Sequence, residues 1–148
     1  HIAESQTQGC DLREYQKYPI AFVPKQFFTE DLFIKSITYS PLSLKDISNK
    51  NKTKKLVSLA VSLNGLALKY VPKNYCSKSL ITTAVMNNPQ AIKFVPLRYI
   101  TQELCNNLFQ KDYSSILYIP EEFVTLQMCL KLIELKKILC VSINEGTI

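Results

Sequence analysis

Residues 59–96 read LAVSLNGLALKYVPKNYCSKSLITTAVMNNPQAIKFVP, and within them one pattern occurs twice at a spacing of 24 residues. Ala60-Val61 returns as Ala84-Val85, Asn64-Gly65 as Asn88-Pro89, and Tyr70-Val71-Pro72 as Phe94-Val95-Pro96. A fixed period of this length is the mark of a repeat architecture, in which each unit buries its apolar face on its neighbours. Working outward, proline recurs in the same slot at Pro24 and Pro120, while Ser48 and Asn144 fill the two remaining slots without an insertion.

Five positions after each slot stand Thr29, Thr53, Ser77, Thr101 and Thr125. Their hydroxyls suit a helix N-cap, where an oxygen accepts from an otherwise unpaired first-turn amide. Three residues on come Leu32, Leu56, Leu80, Leu104 and Met128. Phe33, Val57 and Ile81 follow, and Cys105 and Cys129 continue that column as small buried apolar residues. Ser36, Ala60, Ala84, Leu108 and Leu132 precede Ile37, Val61, Val85, Phe109 and Ile133. Apolar positions at i, i+1, i+4 and i+5 lie on one helical face. Each repeat therefore predicts a helix of about 10 residues, ~15 Å long.

The helix ends at turn residues, Ser40-Pro41, Asn64-Gly65 and Asn88-Pro89. A shorter second helix then runs to the slot proline, its apolar columns Ile20, Leu44, Leu68, Ile92, Ile116 and Val23, Ile47, Val71, Val95, Ile119 spaced i, i+3. Small residues, Ser43, Ala67, Ala91 and Ser115, allow close approach of neighbouring helices. The fold predicted is all-α, a right-handed helical-hairpin solenoid of about five to six repeats of 24 residues. The last segment, ELKKILCVSINEGTI, keeps the apolar columns without the turn residues and is expected to cap the stack.

A chain of 148 residues, 47% apolar and 20% charged, suits one globular domain. It starts without methionine in polar sequence, HIAESQTQG. The expectation is an excerpt of a longer protein, with residues 1–10 a disordered or ragged end and residues 11–148 one repeat domain. Five cysteines without a CxxC pair suit a reducing compartment. His1 is the only histidine, which removes His-based triads and most zinc sites. Three glycines and no Gly-rich loop leave nucleotide cradling without support. No metal site, cofactor or catalytic residue is predicted, and no apolar run is long enough to span a membrane.

The residues Ala60, Val61, Asn64, Gly65, Ala67, Leu68, Tyr70, Val71 and Pro72, then Ala84, Val85, Asn88, Phe94 and Pro96, carry a resemblance. Their pattern, A-V-x-x-N-G-x-A-L-x-Y-V-P, resembles an uncharacterised family of short helical repeats. That family is seen in bacterial proteins, including secreted effectors of intracellular pathogens, and in large DNA viruses. The resemblance spans most of residues 15–140 and is looser in the flanking repeats. The repeat ending at Ser48 departs from it, with Asp46 at the aromatic position and no proline. The resemblance implies a helical scaffold with no catalytic motif. It also implies a setting in a bacterial effector secreted into a host cytoplasm, with a host protein or membrane as target.

Charge singles out a candidate surface. Residues 45–100 carry ten basic residues against Asp46 alone. Such an excess favours an acidic partner, nucleic acid or anionic lipid. Lys45, Lys69 and Lys93 share one column opposite the apolar columns and predict an exposed ladder. Tyr70, Phe94 and Tyr118 run beside it, and Lys73 and Arg98 extend the basic stripe. Interleaved cations and rings suit single-stranded nucleic acid. A seal between repeats explains the same rings, since they lie three residues from the small buried column. The run SNKNKTKK at 48–55 predicts a solvated loop.

Two carboxylate pairs, Glu30-Asp31 and Glu121-Glu122, invite an acid–base reading. Glu30 and Asp31 follow the Thr29 cap, where negative charge complements the helix dipole, and Glu121 and Glu122 follow Pro120 in a loop. Capping and solvation account for both. A further aromatic column, Phe27, Tyr75, Tyr99 and Phe123, sits two residues before the caps and suits a hydrophobic staple or partner anchors. The function expected is a non-catalytic scaffold that binds a macromolecular partner, a protein first, through Lys45, Lys69, Lys93, Lys73, Arg98, Tyr70 and Phe94. Anionic lipid is the alternative and nucleic acid the second.

Overall fold

Thr29, Thr53, Ser77, Thr101 and Thr125 each accept the backbone N–H three residues on, at 3.2–3.3 Å, and each opens an α-helix. These helices are α1 (Glu30–Tyr39), α2 (Lys54–Leu63), α3 (Lys78–Asn87), α4 (Gln102–Lys111) and α5 (Leu126–Glu145). In this computed structural model residues 20–145 are described, with side chains described through residue 137. The expectation of a ragged end at residues 1–10 lies outside the described residues. The described residues are all helical or loop, with no strand among them.

The residue that stops each helix starts the next. The amides of Asn64, Asn88 and Asp112 close the last turns of α2, α3 and α4 on the carbonyls of Ala60, Ala84 and Leu108. Their side chains then accept from the amides of Leu66, Gln90 and Ser114 at 2.9–3.0 Å. The second helix is of the 3-10 kind, over Pro41–Asp46, Gly65–Tyr70, Pro89–Phe94 and Tyr113–Leu117. Three residues per turn stack positions i and i+3, and this is the spacing of the apolar columns. Leu44 and Ile47, and Ile92 and Val95, are buried by it.

The slot prolines do more than stop a helix. Pro24, Pro72, Pro96 and Pro120 are extended, and each leads a single 3-10 turn: Lys25–Phe27, Lys73–Tyr75, Leu97–Tyr99 and Glu121–Phe123. The sequence suggested plain loop there. Where Ser48 replaces proline, the amides of Asn51 and Lys52 bond back to the Ser48 carbonyl at 2.9 and 3.2 Å. The Asn51 bond repeats that of Phe27, Tyr75, Tyr99 and Phe123 to the slot carbonyl, and the turn departs at Lys52, whose counterparts Phe28, Cys76, Ile100 and Val124 bond to the residue after the slot.

The chain divides into two compact units, residues 1–91 and 92–148. In the first, α1 packs on α2 and α2 on α3, and the 3-10 helix Gly65–Tyr70 packs on α3 and on Pro41–Asp46. Phe33, Ile37, Leu56, Val57, Ala60, Val61, Ile81, Ala84 and Val85 form its core. Each Phe, Leu, Ile and Val side chain among them contributes roughly 1.5–3 kcal/mol through loss of water contact. In the second unit α4 packs on Tyr113–Leu117, burying Leu104, Cys105, Leu108 and Phe109.

Two expectations are corrected. Cys129 is exposed, unlike Cys105 and the rest of its column. Ile133 is 53% exposed although Ile37, Val61, Val85 and Phe109 are buried. Along α5 no described residue follows the helix to cover these columns, whereas α1 meets α2 and α2 meets α3. The second correction is Lys52, which is buried inside the run expected to be solvated. The α5 helix itself runs unbroken to Glu145.

Candidate functional site

Lys45, Lys69 and Lys93 are each the penultimate residue of a six-residue 3-10 helix, directly after buried Leu44, Leu68 and Ile92. This register turns all three to solvent. Lys45 and Lys69 stand in the first unit, on 3-10 helices that pack against each other. Lys93 belongs to the second unit. Lys73 is exposed on the turn after Pro72, and Arg98 on the turn after Pro96.

The cations and rings are already engaged with each other. Lys69 Nζ lies 5.8 Å from the centroid of the Tyr70 ring, and Lys93 Nζ lies 5.3 Å from that of Tyr118. The Arg98 guanidinium lies 4.8 Å from the ring of Tyr99, in the other aromatic column. Each such pair contributes about 0.5–1 kcal/mol at an exposed site. Tyr70 is half-buried and Phe94 is 38% exposed, so both rings partly line the protein and partly face out. Lys55 and Glu30, both well exposed, pair at 3.8 Å.

Lys52 escaped the sequence reading. Its ammonium donates to Asn49 Oδ1 at 3.1 Å and to the Tyr70 carbonyl at 2.9 Å, while its stem fills a place held elsewhere by Phe28, Ile100 and Val124. Loss of water lowers its pKa from the ordinary lysine value. The available signal was a lysine in an otherwise apolar column. Burial pushes the pKa of the Cys105 thiol up.

A second feature lies where the repeat is irregular. A pocket of about 280 Å³ opens between the start of α1, residues 50–51 and the start of α2. Phe28, Phe33 and Leu56 supply its apolar lining, and Glu30, Lys50 and Asn51 its polar one. The Phe28 and Phe33 rings meet edge to face at 5.2 Å. Among the described residues no group of His, Cys, Asp or Glu side chains is arranged to hold a metal ion. No helix of the described residues is long and apolar enough to cross a membrane.

Residues 53–100 match the model of a family described as a domain of unknown function, DUF4116. The matched span begins on the Thr53 cap and ends at Ile100, one residue before the Thr101 cap. No curated protein and no solved structure matches the chain.

Proposed function

We propose that the chain is a non-catalytic scaffold, a solenoid of 24-residue repeats, that holds an acidic protein partner through its exposed lysines. The observation that carries this reading is the shared position of Lys45, Lys69 and Lys93. Each is presented to solvent by the same step of the same short helix, and Lys69 and Lys93 each lie beside a ring. The solenoid part draws support from α-helices that start at Glu30, Lys54, Lys78, Gln102 and Leu126, with the same cap bond each time. Placement in a bacterial effector acting in a host cytoplasm belongs to the same proposal and rests on the resemblance of the repeat.

Crosslinking and pull-down with the wild-type chain and with Lys45→Glu/Lys69→Glu/Lys93→Glu test it. All three lysines are exposed, so the fold is expected to survive the reversal. A protein retained by the wild type and lost from the triple variant supports the reading. An interactome unchanged by charge reversal counts against it. Anionic lipid draws on the same basic excess, and flotation with vesicles containing phosphatidylserine distinguishes it from protein.

A further inference from the structure

We propose that the pocket between α1 and α2 is an anchor site for an aromatic side chain of an acidic peptide, where the repeat lacks an aromatic of its own. This deepens the protein-binding reading above and rests on it. The aromatic column two residues before the caps runs Phe27, Tyr75, Tyr99 and Phe123, and its missing member is Asn51. Tyr75, Tyr99 and Phe123 are half-buried, while Phe27 is 56% exposed. At Asn51 the short amide leaves a space of about 280 Å³ above Phe28, Phe33 and Leu56. Drug-sized sites begin at about 300 Å³, so this one suits a single large side chain. Phe33 and Leu56 form a buried floor, and the Phe28 edge-to-face pair shows that the wall already accepts ring against ring.

Charge selects what flanks the ring. Lys50 stands on the rim and Lys54 and Lys55 on the adjoining first turn of α2, all exposed. Glu30, the rim's one carboxylate, faces Lys55 at 3.8 Å and is partly neutralised. A peptide with a phenylalanine or tyrosine between aspartates or glutamates matches both features.

The test uses a fluorescein-labelled peptide, Asp-Glu-Phe-Glu-Asp, titrated against the purified chain by polarisation. Replacing its Phe with Ala is expected to weaken binding by about tenfold to hundredfold, as befits loss of one buried ring. Asn51→Tyr restores the column, fills the pocket from within, and is expected to weaken binding equally while Tm holds or rises. p-Cresol, the missing side chain as a free molecule, is expected to shift the Thr53 and Leu56 amide resonances of the wild type. No binding by the wild type, binding indifferent to the Phe or to Asn51→Tyr, or p-cresol shifts absent from those amides would each overturn the proposal. If Lys45→Glu/Lys69→Glu/Lys93→Glu abolishes binding while Asn51→Tyr does not, the pocket falls and the scaffold reading stands. The reverse result keeps the pocket and removes the lysine ladder.

Discussion

The Asn87 side chain accepts the amide of Gly65 at 2.9 Å and donates to the Ser62 carbonyl at 2.9 Å. One amide group at the end of α3 thus satisfies both sides of the junction between α2 and Gly65–Tyr70. Neighbouring repeats have Leu63 and Lys111 in its place, so the latch is particular to this junction. Asn87→Ala removes both bonds and leaves the buried Gly65 N–H without its acceptor. A loss of about 2 kcal/mol is expected, most of it from the orphaned amide. Urea unfolding measures the loss, and faster hydrogen exchange at Gly65 locates it.

Gly65 itself is held by contact rather than by a left-handed backbone, since no described residue has positive φ. A Cβ there would run into the carbonyl oxygen of Ala84 and come within 2.9 Å of its carbon and 3.1 Å of the Asn88 nitrogen. These are backbone atoms and move only with α3. Gly65→Ala is therefore expected to cost about 3 kcal/mol, at the upper end for overpacking. A thermal midpoint within a degree of wild type would show that the junction is loose.

Ser115 is fully buried, and its hydroxyl has no hydrogen-bond partner among the described residues. The same column holds Ala67 and Ala91, both fully buried. Ser115→Ala removes the stranded hydroxyl without adding volume. A gain of roughly 1–2 kcal/mol is expected. Calorimetry checks it, and a lowered Tm would point to a bound water that the hydroxyl serves.

The caps and core were legible because each depends on residue type at a fixed local offset. Thr29 and its equivalents need only an amide three residues ahead, and Val57, Ile81 and Cys105 need only their place on a helical face. The i, i+3 columns revealed a second helix, but only the backbone shows its 3-10 pitch. Lys52 was misread because its burial depends on the Tyr70 carbonyl, 18 residues away. Cys129 was misread because column logic assumes a covering neighbour. Of the site, exposure of Lys45, Lys69 and Lys93 followed from the register. The pairing of Lys93 with Tyr118, one repeat ahead, did not, because it is made by packing.

Thiol accessibility separates two cysteines of one column. Cys105 is buried with a raised pKa, whereas Cys129 is exposed. Alkylation acts on the thiolate, so burial and a raised pKa both slow it. Iodoacetamide at pH 7.5 is expected to label Cys129 in the folded chain, and Cys105 only after urea is added. Peptide mapping by mass spectrometry resolves the two sites. Early labelling of Cys105 would mean that α4 opens readily.

Lys52 gives the stability a sign against pH. In the folded chain its proton leaves at lower pH than in the unfolded chain, because the buried ammonium has lost water. Between those two values the unfolded chain binds more protons, so stability rises with pH. Burial of the charge thus opposes folding at neutral pH. The opposition fades through the window just below the ordinary lysine value, about 10.4. Lys52→Met keeps much of the stem and drops the charge, so its own stability lacks this contribution. Urea unfolding of both proteins from pH 7 to pH 10 is expected to show wild type gaining on the variant as pH rises. The neutral amine still donates to the Tyr70 carbonyl, so deprotonation relieves the desolvation without breaking the contact. A constant difference between the two curves would mean that the ammonium keeps its hydration in the folded state.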